Sequence, residues 1–407
     1  MATVNGRYNV GGILLPRPFQ IRRLGHFGLD LADLEAGVEF YVKHLGFRVT
    51  DELDFRERRE FREAIAQVKD PRMIFTTHGT DHHTLVLRSR ALATAMGGGN
   101  APADITTNQI TWQVGTLQEV VDAIEFFKER GVPIRRVGRD MPGSNWHAYV
   151  YDPDGHIVEL YYGMEQIGWN GRSKPRAMHD RGFHEAPTLP QVSEAAEVEE
   201  AAKKGVDINS GVCSLDLGAA RDNVGGILLP RPFKITKIGP VGLFVKDLDK
   251  SEAFYGETLG FVKTEEVRFK GERCVFMRNG TEHHSLALFP VLLRQELGLS
   301  AHTTTMTFGL EMGSYEQLRG AAGFLREKGA KFIHSIPPEL YPGIDYAAHV
   351  LDPDGHCLQL YSYMEQVGWD GRPRPRAERR AVKDEWPEAL EPLSDTYADQ
   401  TFQGPLG

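Results

Sequence analysis

The sequence predicts an α+β protein of two tandem domains, each built from two paired β-α-β-β-β modules with curved, mostly antiparallel sheets. Three observations predict it. The first is an internal repeat: VGGILLPRPFQI from Val10 returns as VGGILLPRPFKI from Val224, and DPDGHIVELYYGMEQIGWNGR from Asp152 returns as DPDGHCLQLYSYMEQVGWDGR from Asp352. Identity of that length is not chance, so the chain carries two copies of one domain. The second lies within each copy. HFGLDLADLEAGVEFYVKHLGF from His26 and QITWQVGTLQEVVDAIEFFKERGV from Gln109 both read as strand, short turn, amphipathic helix and a Gly before a new strand. The third is the run of short strands after each helix, such as MIFTTHG, HHTLVLRS, HAYVYDPDG and HIVELYY, closed by DPDG hairpin turns.

In chain order, the first copy spans residues 10–176, a polar linker with one short helix spans 177–223, the second copy spans 224–376, and a charged tail spans 377–407. The tail is expected on the surface or disordered. His26 pairs with Pro240 at an offset of 214 and His83 with His284 at 201, so the first copy holds 13 extra residues between those points. They fall around RERREFREAIAQVKD, residues 56–70, a helix-like mix of Arg, Glu and Ala. A lid over a site and a plain surface excursion are both open readings.

Composition bounds the function. The 407 residues are 41% hydrophobic and 25% charged with a formal net charge of −9, which argues against nucleic-acid and anionic-membrane partners. No apolar run approaches the ~20 residues of a membrane span. MATVNGRYNVGG lacks the apolar stretch of a secretory signal, so a cytoplasmic protein is expected. Cys213, Cys274 and Cys357 are too few and too scattered for a disulfide framework or a thiolate zinc site.

Alternation places the chemistry. On the first strand Phe27, Leu29 and Leu31 share one face and His26, Gly28 and Asp30 the other. On its counterpart Ile110, Trp112 and Val114 oppose Gln109, Thr111 and Gln113. The apolar faces must cover the helices, so the polar faces line a concavity. The copies differ there: His26, Gln109 and Glu159 of the first become Pro240, Thr307 and Gln359 of the second.

Paired modules, a His opening a first strand and DPDGH-x-x-E on a last strand resemble the vicinal oxygen chelate superfamily. That superfamily includes glyoxalase I, bleomycin-resistance proteins and extradiol ring-cleavage dioxygenases, and the resemblance is nearest to the extradiol branch. It implies a metal at His26, Gln109 and Glu159. An iron(II) oxygenase usually has two His and one carboxylate, and Gln109 departs from that set. It also implies a proton-relaying His83 in DHHTLVL and a substrate-orienting Tyr149. Asp140 stands where a further loop His is usual, and His147 is nearby. Local readings stand beside these. His82–His83 recurs as His283–His284 and so also reads as a turn element, while Trp169 and Trp369 read as structural pins after the last strand.

The function implied is a mononuclear Fe(II)-dependent extradiol-type dioxygenase cleaving a catechol-like aromatic with O₂; Mn(II), Zn(II) and Ni(II) are the alternative metals. One alternative is a glyoxalase-type lyase or isomerase, against which Thr84-Leu85-Val86-Leu87 offers no second acid. The other is a metal-free protein sequestering a small aromatic. The second copy reads as a degenerate partner whose cavity, near Pro240, Thr307, Glu311 and Gln359, is open to a ligand. Homo-oligomerisation is compatible with the resemblance.

Overall fold

A computed structural model describes residues 3–4, 6–97, 103–139, 142–143, 145–178, 189–190, 192–213, 218–367, 370–383 and 385–391. The chain forms two compact units. Unit 1 comprises Met1–Leu34, Phe47–Pro102 and Thr107–Asp216; unit 2 comprises Glu35–Gly46, Ala103–Thr106 and Leu217–Gly407.

Unit 1 holds an eight-stranded sheet of β1 (Ile21–Leu31), β2 (Arg48–Asp54), β3 (Arg72–Thr77), β4 (Leu85–Ser89), β5 (Thr107–Val114), β6 (Ile134–Arg139), β7 (Trp146–Tyr151) and β8 (Ile157–Tyr162). Their order is β2-β3-β4-β1-β5-β8-β7-β6. The two modules therefore meet through their first strands, β1 and β5, which pair antiparallel. Only β1–β4 and β5–β8 run parallel, so the sheet is mostly antiparallel, as the turn signals predict.

Helices cover one face. The Thr116 hydroxyl accepts from the Glu119 amide and starts α2, Leu117–Glu129, after α1 at Arg90–Met96. Leu117, Val120, Ala123, Ile124 and Phe127 recur at helical spacing along α2 and are buried. Trp112, Phe27 and Leu29 are also fully buried, consistent with the apolar face read from the alternation. The linker supplies one helix, α3 at Glu194–Lys203, tied to unit 1 by Glu197 with Arg139 and Lys174.

Unit 2 repeats the sheet with β9 (Ile235–Val245), β10 (Val262–Phe269), β11 (Glu272–Arg278), β12 (Leu286–Pro290), β13 (Thr305–Met312), β14 (Lys331–Ile333), β15 (Ala347–Leu351) and β16 (Cys357–Tyr361), in the order β10-β11-β12-β9-β13-β16-β15-β14. The helix α4, Tyr315–Glu327, is started by Ser314.

Two expectations need correction. Residues 56–70 are not an α-helix: they form 3₁₀ turns at Phe55–Glu57 and Arg59–Phe61 followed by hydrogen-bonded turns. Nor are they a plain excursion, because Phe55 and Ile65 are buried against Leu92 of α1, with Leu53, Phe61, Val68, Met73 and Met96 packed around them. The apolar side chains of the insert outweigh its helical propensity. Trp169 pins nothing, since it is fully exposed on a tight turn closed by Gly168 and Arg172; Trp369 lies outside the described residues. The described part of the tail lies on the surface of unit 2, where Arg379 pairs with Glu265 and Glu365 and Trp386 packs against Tyr315 and Tyr346.

Unit 2 carries the apolar Phe244, Phe289 and Met306 where unit 1 has Asp30, Arg88 and Asn108. Phe244, Phe276, Phe289, Met306, Tyr341 and Tyr361 belong to one buried apolar cluster.

Candidate active site

Four strands of unit 1 bring one row of side chains together on the concave face. Cα register places His26 of β1 opposite Thr111 of β5, Thr111 beside Glu159 of β8, and Glu159 opposite Tyr149 of β7. The β1–β5 ladder shifts register on both sides of this row, between Leu24 and His26 and between Gly28 and Leu29. Such bulges re-aim side chains. His26 Nε2 lies 3.1 Å from Glu159 Oε2.

Glu159 is fully buried, and its carboxylate is held from three sides. Thr111 Oγ1 donates to Oε2 at 2.8 Å, Asn145 Nδ2 donates to Oε1 at 2.6 Å, and His26 closes the third side. A buried carboxylate needs such partners, because an unpaired one costs several kcal/mol (~3–5). Thr111 and Asn145 are the site residues that the sequence reading missed. Thr111 had a signal, its place on the polar face of β5. Asn145 had none, since it reaches Glu159 from a loop.

Gln109 sits one pleat away, opposite Gly28, and its Oε1 accepts from the Tyr149 hydroxyl at 3.2 Å. Arg136, in register with Tyr149, lies with its guanidinium 4.7 Å from that ring's centroid. His147 is buried with its ring 4.6 Å from that of Tyr149. Asp140 lies outside the described residues.

His83 packs edge-on to His26 at 4.5 Å between ring centroids and to Phe75 at 5.0 Å. Its Nδ1 is 3.0 Å from that of His82, so one ring donates the proton and the other accepts it. Burial, reinforced by His26 and His82, holds His83 well below the ordinary histidine range, so its ring is neutral near pH 7. The His82–His83 arrangement recurs in unit 2, where His283 and His284 are 3.1 Å apart. Gly143 and Gly343, both at positive φ, lie against these pairs. The pair is a repeated structural element; its contact with His26 is particular to the first copy.

The donor set is tested by its geometry. A separation of 3.1 Å between an imidazole nitrogen and a carboxylate oxygen matches two adjacent ligands at about 2.1 Å and a right angle. His26 and Glu159 therefore fit a metal ion. Gln109 Oε1, which accepts one hydrogen bond from Tyr149, keeps a second lone pair. Among the described residues no group of three His, Cys, Asp or Glu side chains is arranged around one point.

The ground under His26 is tight. The Tyr161 hydroxyl lies over Gly25, where an added Cβ would clash with it, and the Tyr161 ring is 5.2 Å from that of His26. Gly25→Ala is expected to displace Tyr161 and His26 together and to cost about 1–3 kcal/mol from overpacking. A denaturation midpoint equal to wild type would contradict this.

In unit 2 the equivalent row is dismantled as a whole. Pro240 falls in the register shift between Ile238 and Val241, and Gly309 is beside Gln359, which is opposite His349. His349 Nε2 is 3.2 Å from Gln359 Oε1, and burial lowers its pKa from 6.5 to about 4. Between those values the unfolded chain binds a proton that the folded chain does not. Stability is therefore lost as pH falls through that window, by about 1.4 kcal/mol per pH unit for this group. His349→Gln should remove that dependence, read as a smaller drop in denaturation midpoint between pH 6.5 and 4.5; an unchanged drop would contradict it.

A duplicated eight-stranded mixed sheet, with His26, Thr111 and Glu159 buried in one row of the first copy, defines the class of fold. The family model described as the Glyoxalase/Bleomycin resistance protein/Dioxygenase superfamily matches residues 23–160 and 237–360, and the chain belongs to that superfamily. Metapyrocatechase 2 of Cupriavidus necator is 27% identical over 174 residues, 42% of this chain and 46% of that protein, so the match spans about half of the relative's length. Three solved structures share the fold. The 2,3-dioxygenase LapB from Pseudomonas sp. KL28 matches with a TM-score of 0.56 and 14% identity, over 87% of this chain and 96% of its own. A catechol 2,3-dioxygenase matches at 0.53 and 17%, over 92% and 96%. The Mn(II)-bound glyoxalase from Novosphingobium aromaticivorans matches at 0.53 and 14%, over 86% and 85%.

Proposed function

We propose that the first copy is an extradiol-type dioxygenase site acting on a catechol-like aromatic with O₂. The observation that carries this reading is the convergence of His26 and Glu159 to 3.1 Å on a buried face beside a neutral His83. His26 and Glu159 would hold the metal, Fe(II) before Mn(II), Zn(II) or Ni(II), with Gln109 as a third donor. The metal would supply Lewis acidity and a template for two neighbouring substrate oxygens.

The chain's own side chains divide the remaining work. Neutral His83 takes up a proton from the substrate hydroxyl and returns it, and the proton shared with His82 sets which ring nitrogen is free. The Tyr149 hydroxyl, now on Gln109, turns to a substrate oxygen. Thr111 and Asn145 fix the Glu159 carboxylate so that no reorganisation is needed when substrate arrives. The relatives named metapyrocatechase, catechol dioxygenase and glyoxalase support the chemistry at the level of the superfamily.

Oxygen uptake by anaerobically Fe(II)-loaded protein with a panel of catechols tests the proposal. Uptake coupled to a yellow ring-opened product is expected; a loaded protein that consumes no O₂ with any catechol would contradict it. One observation favours a second reading, a metal-free protein that sequesters an aromatic: among the described residues no three His, Cys, Asp or Glu side chains surround one point. Micromolar binding of aromatics by protein that refuses metal would select that reading.

A further inference from the structure

We infer that the ligand of the first copy carries an anionic arm, of carboxylate type, which docks at Arg88 and Asn108. This rests on the concavity of unit 1 being the ligand site, whatever chemistry occurs there.

Asp30 follows His26 by four residues on the same face of β1, about 13 Å along the strand. It stands opposite Arg88 of β4. Arg88 Nε and Nη2 each donate to Asp30 at 2.7 Å. Its Nη1 has no hydrogen-bond partner among the described residues. Asn108 lies over Gly28, between His26 and Asp30, where a Cβ on that glycine would meet Asn108 Cγ at 2.9 Å. Asn108 is only 5% exposed, yet its Nδ2 also has no partner among the described residues.

The second copy shows that the scaffold needs none of this. At the equivalent positions it carries Phe244, Phe289 and Met306, all inside one apolar cluster. Phe289 there packs at 5.7 Å on Phe276, the counterpart of Phe75, which in the first copy touches His83. A buried ion pair is commonly no more stabilising than an apolar pair of like volume. An amide with an unmade hydrogen bond is a cost. Keeping Asp30, Arg88 and Asn108 together therefore points to a bound group that uses them. Both vacant atoms are donors, so the group they meet is an acceptor, and the guanidinium makes an anion the strongest match. Asp30 holds the guanidinium in place and restricts the anion to the Nη1 side.

The test is calorimetric binding of a ω-phenylalkanoate series (3-phenylpropionate, 4-phenylbutyrate and 5-phenylvalerate) against the matched phenylalkanols. In the wild-type chain the carboxylate of the best-fitting length is expected to bind at least about tenfold tighter than its alcohol. The double variant Asp30→Phe, Arg88→Phe, which installs the second copy's pair, should reduce that preference to about twofold or less. Asp30→Asn, Arg88→Gln keeps the shape without the charges and should do the same, which guards against a failure of the first variant to fold. Asn108→Met should lose part of the preference. Equal affinity for acid and alcohol in wild type, or a preference that survives both double variants, would overturn the inference. These probes lack vicinal hydroxyls, so their binding does not depend on the dioxygenase proposal. Turnover of neutral catechols without any acid preference would retain that proposal and sink this one.

Discussion

Glu159→Gln, which installs the residue of the second copy, is expected to abolish both metal retention and oxygen uptake. The substitution removes the only carboxylate in the row and replaces one acceptor oxygen with a donor amide. An amide can keep its oxygen toward Asn145 only by turning its nitrogen toward Thr111, whose hydroxyl would then accept, and toward His26, where no anionic oxygen remains. Loss of an outer-shell partner typically weakens a metal site about 10–100-fold, and loss of the ligand itself should exceed that. Thr111→Val provides the graded control: Glu159 keeps its charge and two of its three partners, so affinity should fall within that 10–100-fold range. A Glu159→Gln protein with unchanged metal content would contradict the assignment.

Asp352→Ala is expected to destabilise the chain more than Gly25→Ala does. Asp352 Oδ1 accepts from the amides of Asp354 and His356, while Oδ2 takes the Tyr41 hydroxyl at 3.0 Å and His356 Nδ1 at 2.9 Å. His356 Nε2 is 2.8 Å from Thr106 Oγ1, and Thr106 in turn donates to Thr303 at 2.7 Å. Every side chain in this chain of bonds is buried. Burial, and then the neighbouring Asp352, holds the Tyr41 hydroxyl well above its ordinary pKa, so it remains a donor. Removing the carboxylate leaves several buried donors unmet, at a cost of about 3–5 kcal/mol. Tyr41→Phe, which removes one donor together with its bond, should cost only about 1 kcal/mol. Chemical denaturation of the full-length chain reads both, and equal midpoints for the two variants would contradict a network centred on Asp352.

The repeat and the period-2 alternation made most of this fold legible. His26, Gly28 and Asp30 could be assigned to one face because a strand's side chains alternate whatever the tertiary context, and both copies repeat the pattern. The same logic exposed the loss of His26 and Glu159 in the second copy. Residues 56–70 were misread because a helix-like composition says nothing about where Phe55, Phe61 and Ile65 find apolar partners. Asn145 was invisible because its role depends on a loop bringing it to Glu159, and no local periodicity encodes that. Gln109 was legible as a donor, but not its bond to Tyr149, which joins strands far apart in sequence.

A metal site in the first copy is tested most simply by the metal content of protein purified without oxygen, for wild type and for Glu159→Ala. About one metal ion per chain is expected in wild type, most readily iron, together with its loss in the variant. Wild-type protein that holds no stoichiometric metal after anaerobic loading with iron(II), or a variant that holds as much as wild type, would contradict that site.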